Sequence, residues 1–206
     1  MKIETLEVSG FQSAFKALRN PMDSWAKSDS VGGIIGPVDQ ALSLKLQKAG
    51  TEHCKHLRMI QVWADVRAPR YWWTEADTYR HGVEKVSCST MHRLMARPLE
   101  LEDFECDSGC ELILLAVISA INSRMENYKA LLENGLNNEA KEVWREIIQI
   151  LPQSYLQTRT CMFSYAVLRK IIKERTGHKL SEWAEFIKWC RTLPYADVLL
   201  FDGDMS

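Results

Sequence analysis

One stretch narrows the possible folds more than any other. Apolar residues recur as Leu114, Val117, Ile118, Ile121, Met125, Tyr128, Leu131 and Leu132, the three-and-four spacing that lines one face of an α-helix. A stripe of about five turns must be covered by another element, so the chain has to build a core around packed helices. Ser108 and Glu111 stand at capping-box spacing and predict the start of this helix. Further helices are predicted through Phe11, Phe15 and Leu18 (stopping near Asn20-Pro21), over 38–48 (ended by Gly50), and over 138–150, 157–175 and 181–192. Strand patterns are fewer. Ile3, Leu6 and Val8 alternate with polar neighbours, and the run from Met59 to Ala64 is rich in β-formers. Pro69 interrupts that run and suits the first turn of a helix from Tyr71 to Tyr79. Residues 27–37 read as a Gly/Ser-rich loop, and 80–110 as loop with short elements. The expectation is one domain over 1–206, of α/β (more narrowly α+β) class, helix-rich with a small mixed sheet.

Composition excludes several roles. Lys+Arg number 26 against Asp+Glu 27, a net charge of -1 that offers no field for a nucleic-acid backbone. An anionic ligand would be held by a few local cations. With 46% hydrophobic residues the chain can bury a sizeable core. The longest apolar stretch, Leu112 to Ile121, is too short to span a membrane, and the first ten residues alternate in place of a signal peptide's apolar run. A cytoplasmic protein is expected. Of the six cysteines, Cys106 and Cys110 stand four apart, but no second Cys/His pair follows at zinc-site spacing, so no metal is assigned and idle thiols are expected.

Specific blocks carry the reading further. Gly50-Thr51-Glu52-His53-Cys54-Lys55-His56, a strand, then Ala68-Pro69-Arg70-Tyr71 resembles a block of the flavin-dependent thymidylate synthases, the ThyX family. Thr78-Tyr79-Arg80 stands at the family's Arg-His-Arg, and Ser87-Cys88-Ser89 looks like its Glu-x-Ser. Leu151-Pro152-Gln153-Ser154 and the stretch to Arg175 and Trp183 resemble its C-terminal Leu-Pro block. The blocks occur in the family's order over roughly residues 3–190, and that collinearity carries the resemblance.

The resemblance implies a homotetramer that binds FAD and dUMP where subunits meet, with NADPH as reductant and methylene-tetrahydrofolate as one-carbon donor. It places Arg80, Ser87, Ser89, Gln153, Ser164 and Arg175 around a nucleotide, and His56, Arg70, Glu75 and Tyr79 around the flavin. No residue is assigned a catalytic role. The chain departs from the pattern at family arginine positions, where it has Thr78, Ile148 and Ala166. Charge-assisted contacts are worth about 1.5–3 kcal/mol each, so these losses weaken the inherited ligand geometry. Arg70, Arg159, Arg169 and Lys170 are the compensating cations in these blocks. The expected function is therefore nucleotide binding, a protein that sequesters or senses a nucleotide, phage-like in its eroded motifs. The alternative is methyl transfer from dUMP to dTMP. Bland readings stand beside these roles. Arg175 suits a helix C-terminus, Ser87 and Ser89 suit turns, His56 suits a satisfied core histidine, and Trp63, Trp72 and Trp73 suit core aromatics.

Overall fold

The computed structural model describes residues 1–203. In chain order the elements are β1 (Lys2–Ser9), α1 (Phe11–Arg19), α2 (Pro37–Ala49), β2 (Gln61–Pro69), α3 (Arg70–Ala76), β3 (Val83–Ser87), α4 (Thr90–Arg93), α5 (Glu111–Glu133), α6 (Asn137–Ile150), β4 (Leu156–Ser164), α7 (Tyr165–Arg175), α8 (Ser181–Arg191) and α9 (Ala196–Leu199), with short 3₁₀ turns between them. The expected small sheet has four strands in the order β1-β2-β4-β3, paired antiparallel. Strand β2 is central because its Val62, Ala64, Val66 and Ala68 face is wholly buried. Strand β1 is an edge, and its Leu6 is 51% exposed where the alternation predicts a half-buried face. No helix among the described residues is long and apolar enough to cross a membrane.

Two compact units are present. The first comprises Met1, Arg67–Glu75 and Ser87–Thr158; the second comprises Lys2–Val66, Ala76–Val86 and the chain from Arg159 onward.

The first unit is organised by α5 and α6, which pack along each other. Leu114, Ile118, Ile121 and Met125 of α5 meet Val143 and Ile147 of α6, with Leu94, Leu99, Phe104 and Leu151 completing the cluster. Burying each of these side chains contributes about 1.5–3 kcal/mol, so the stripe that dominates the sequence dominates this unit. Its cap is different from the expectation. Cys110 occupies the N-cap position without a side-chain bond, and Cys110 N–H donates to the Asp107 carbonyl at 3.0 Å, leaving Ser108 inside a turn.

The second unit corrects the helix expected over 157–175. That stretch is strand β4 as far as Ser164, and only then helix α7. Thr158 and Thr160 favour extended backbone, Cys161 and Phe163 alternate into the core, and the Ser164 hydroxyl accepts the Val167 N–H to start the helix. Arg159 and Arg169 therefore never share a helix. The 80–110 stretch holds β3, an edge strand with only Val83 buried, whose weak alternation hid it.

The interior of the second unit contains charge. Asp39 has no exposure and Arg19 6%, and the Arg19 guanidinium grips the Asp39 carboxylate, with Nε at 2.7 Å. Ser28 and Ser30 hydroxyls donate to the other carboxylate oxygen at 2.6 Å each. Burial alone would raise the Asp39 carboxyl, but the two hydroxyls and the guanidinium outweigh it and hold it below the usual carboxylate range.

Candidate functional site

In the second unit, the cation group forms where α7 ends. Arg175 is the last residue of α7, in the position a bland helix-dipole cation would take. Its surroundings are more particular. The guanidinium lies 4.7 Å from the centre of the Trp183 ring and 5.5 Å from that of Tyr79, while its Nε–H donates to the Tyr79 hydroxyl at 3.0 Å. Contact with two aromatic rings set at 72° to each other, together with the bond to Tyr79, restrains the guanidinium more than a solvated surface arginine would be. The Tyr79 hydroxyl in turn donates to Glu174 at 2.9 Å, and the Lys170 ammonium sits 5.9 Å from the Tyr79 ring. Burial pushes the Tyr79 phenol up, with the Arg175 bond opposing, so Tyr79 stays a neutral hydroxyl near pH 7.

Arg80 follows Tyr79 directly and is exposed. The next two residues return to the other end of the same helix. The Gly82 carbonyl accepts the Ser164 N–H at 2.9 Å, and a Cβ at Gly82 would stand 2.6 Å from the Ser164 hydroxyl oxygen. Only glycine fits there, and its φ of +75° is one that glycine adopts freely. Ser164 is buried, and its hydroxyl is the α7 cap. The segment from Tyr79 to Gly82 thus runs beside α7, with Tyr79 bonded to Arg175 at its end, Gly82 bonded to Ser164 at its start, and the exposed Arg80 between them. Lys170, Glu174 and Trp183 join Tyr79 and Arg175. Trp183 lies eight residues beyond Arg175 on another helix, so no local spacing marks it as the stacking partner.

The remaining cations named as compensating are committed elsewhere. In this unit Arg159 donates to Asp77 at 2.8 and 3.1 Å beside Lys85, also 2.8 Å from Asp77. Arg169 donates to Gln47 at 2.8 Å and pairs with Asp202 at 2.6 Å. His56 is 5% exposed, with Nε2 2.8 Å from the Ser43 hydroxyl. Desolvation lowers His56 from an ordinary 6.5 to about 4. His56 thus points its Nε2 inward onto Ser43, and the Tyr79 hydroxyl is bonded to Arg175 and Glu174; no chemical step is derived through a flavin.

The first unit holds the other expected residues. Gln153 is exposed, and its carbonyl accepts the Tyr71 N–H at 3.1 Å, while Arg70 N–H donates to the Tyr155 carbonyl at 3.1 Å. Arg70 and Glu75 are half-buried on α3. Ser87 is exposed at the end of β3, and the Ser89 hydroxyl caps α4 by accepting the His92 N–H at 3.3 Å. Trp72 and Trp73 are each 1% exposed, core aromatics with the Trp73 indole donating to the Gln157 carbonyl.

Neither a protein-family model nor a curated protein matches the sequence. Solved structures do. A flavin-dependent thymidylate synthase ThyX from Helicobacter pylori, complexed with FAD and dUMP, superposes with a TM-score of 0.72 at 18% identity, covering 100% of both chains. The chain has the ThyX fold. A second Helicobacter pylori ThyX structure gives 0.69 at 19% identity over 98% of each chain. The UMP/dUMP methylase PolB from Streptomyces cacaoi, bound with 5-Br dUMP, gives 0.54 at 17% identity, covering 82% of this chain and 76% of its own. On this ThyX fold the stacked arginine at the end of α7 is the best-built cation among the expected site residues.

Proposed function

We propose that the protein binds a nucleotide monophosphate on its ThyX fold, with Arg175 as the central anion-binding residue. The observation that carries this reading is the guanidinium packed against Trp183 and Tyr79 and bonded to the Tyr79 hydroxyl. A planar cation fixed in orientation matches a phosphate or a uracil edge without first losing rotamer entropy. Lys170, 5.9 Å from the Tyr79 ring, is a second cation of the group, and Arg80 follows Tyr79 directly in the chain. The matched structures that contain dUMP or 5-Br dUMP support a pyrimidine nucleotide as the ligand. With Thr78, Ile148 and Ala166 at family arginine positions, binding without turnover, to sequester or sense the nucleotide, is the favoured role, in a cytoplasmic, phage-type protein assembled as a homotetramer.

Thermal denaturation with dUMP, UMP and the free nucleosides tests this. A ligand at 100 times its Kd adds about 2.7 kcal/mol of stability, and Arg175→Ala should abolish that gain while leaving the unliganded fold intact. Arg80→Ala should weaken the nucleotide more than the nucleoside. A nucleotide shift unchanged in Arg175→Ala would overturn the reading. A yellow preparation that releases FAD on denaturation, and that converts dUMP with NADPH and methylene-tetrahydrofolate, would establish the methyltransferase instead.

A further inference from the structure

Cys106 and Cys110 have their sulfur atoms 3.3 Å apart, and both point at the same acceptor, the Asp107 carbonyl, at 3.3 and 3.2 Å. The turn that brings them together is closed by the backbone bond from Cys110 to Asp107 and opens directly into the 23-residue helix α5. Its upstream side is fixed as well. Glu105 N–H donates to the Ser154 carbonyl at 2.9 Å, and Phe104 forms an isolated bridge with Tyr155. Anchored on both sides, the two thiols are held close to each other by the fold and do not meet by chance. Cys110 is exposed and Cys106 partly so, whereas Cys54, Cys161 and Cys190 are buried.

We propose that Cys106 and Cys110 form a peroxide-oxidised dithiol that closes into a reversible intramolecular disulfide. A disulfide needs its sulfurs at about 2.05 Å, so closure requires the two to approach by roughly 1 Å, within reach of side-chain rotation. Cys110, the more exposed of the two thiols, makes the first attack. Its sulfur bonds to one peroxide oxygen as the O–O bond breaks, giving a sulfenic acid and one water. The Cys106 sulfur then displaces the sulfenic hydroxyl, which leaves with the Cys106 proton as a second water. Two thiols are oxidised by two electrons and one peroxide is reduced to two waters. The product is a five-residue ring at the head of α5.

Intact-mass spectrometry and thiol titration of the native protein test this. Three cysteines are accessible before oxidation, and the native protein should titrate accordingly. A small excess of hydrogen peroxide should remove about two hydrogen masses, leave only Cys88 titratable, and link 106 to 110 within one peptide. Dithiothreitol should restore the starting values. Cys106→Ser should stop at a sulfenic acid on Cys110 that a dimedone-type reagent traps. Oxygen addition without hydrogen loss, dimers through Cys88, or no change at a peroxide dose that oxidises free cysteine would each overturn the proposal.

Discussion

Each unit has an apolar core and a buried carboxylate, but the carboxylates are held differently: Arg97, which grips Asp103 in the first unit, is largely exposed, while Arg19, which grips Asp39 in the second, is buried with it. Around α5 and α6 the contacts are aliphatic and tolerant, a matter of matching stripes on two helices. The second unit buries an arginine–aspartate pair with two serine hydroxyls. It also has a polar chain running from His56 through Ser43 and Gln47 to Arg169. Aliphatic packing loses stability in proportion to the volume removed. A polar interior fails more abruptly, because removing one partner strands the other.

The sharpest test of that contrast is Asp39→Ala. It leaves the Arg19 guanidinium buried without a counter-charge and should cost about 3–5 kcal/mol in urea denaturation. Replacing both residues by apolar ones, Arg19→Met with Asp39→Leu, should recover most of the loss, and a double variant as weak as the single would show that the pair does more than neutralise itself. In the first unit Ile121→Ala should cost about 2–5 kcal/mol by transfer and cavity terms, with no pH dependence.

His56 gives a smaller effect, confined to a window. Its folded value near 4 lies below the unfolded 6.5, so the unfolded chain binds the extra proton between those values. The stabilisation is therefore present above pH 6.5 and is lost as pH falls toward 4, about 3 kcal/mol at most. Stability profiles of wild type and His56→Gln should converge in slope above pH 6.5 and diverge below it, and parallel profiles down to pH 4 would remove His56 from this role. The smallest effect is expected for Ser89→Ala, about 0.5–2 kcal/mol through the lost α4 cap, with nucleotide binding unchanged. A binding defect there would give Ser89 a ligand role beyond its cap.

How much of this was legible follows the same division. The α5 stripe, the α6 and α8 helices and the buried face of β2 are periodic, and periodicity is local. Strand β4 was readable in principle, from Thr158, Thr160, Cys161 and Phe163, but its apolar residues also fit a helix that continues into α7. The edge strand β3 lacks the burial that makes alternation visible. Among the expected site residues, the collinear blocks led to Tyr79 and Arg175, which bond each other at the end of α7, and to Ser164, which caps its start. The same blocks led to His56, which the structure turns inward onto Ser43. Sequence order could not show that direction, nor that Trp183 would supply the face on which Arg175 lies.

The segment from Tyr79 to Gly82 is fastened at both ends to one helix: Tyr79 to Arg175 at its close, Gly82 to Ser164 at its opening. Helix α7 has 11 residues, a rod of about 16 Å. The backbone on either side of Arg80 is therefore clamped to one rod, like a strap buckled at two points, and a side chain at Gly82 would force the second buckle open.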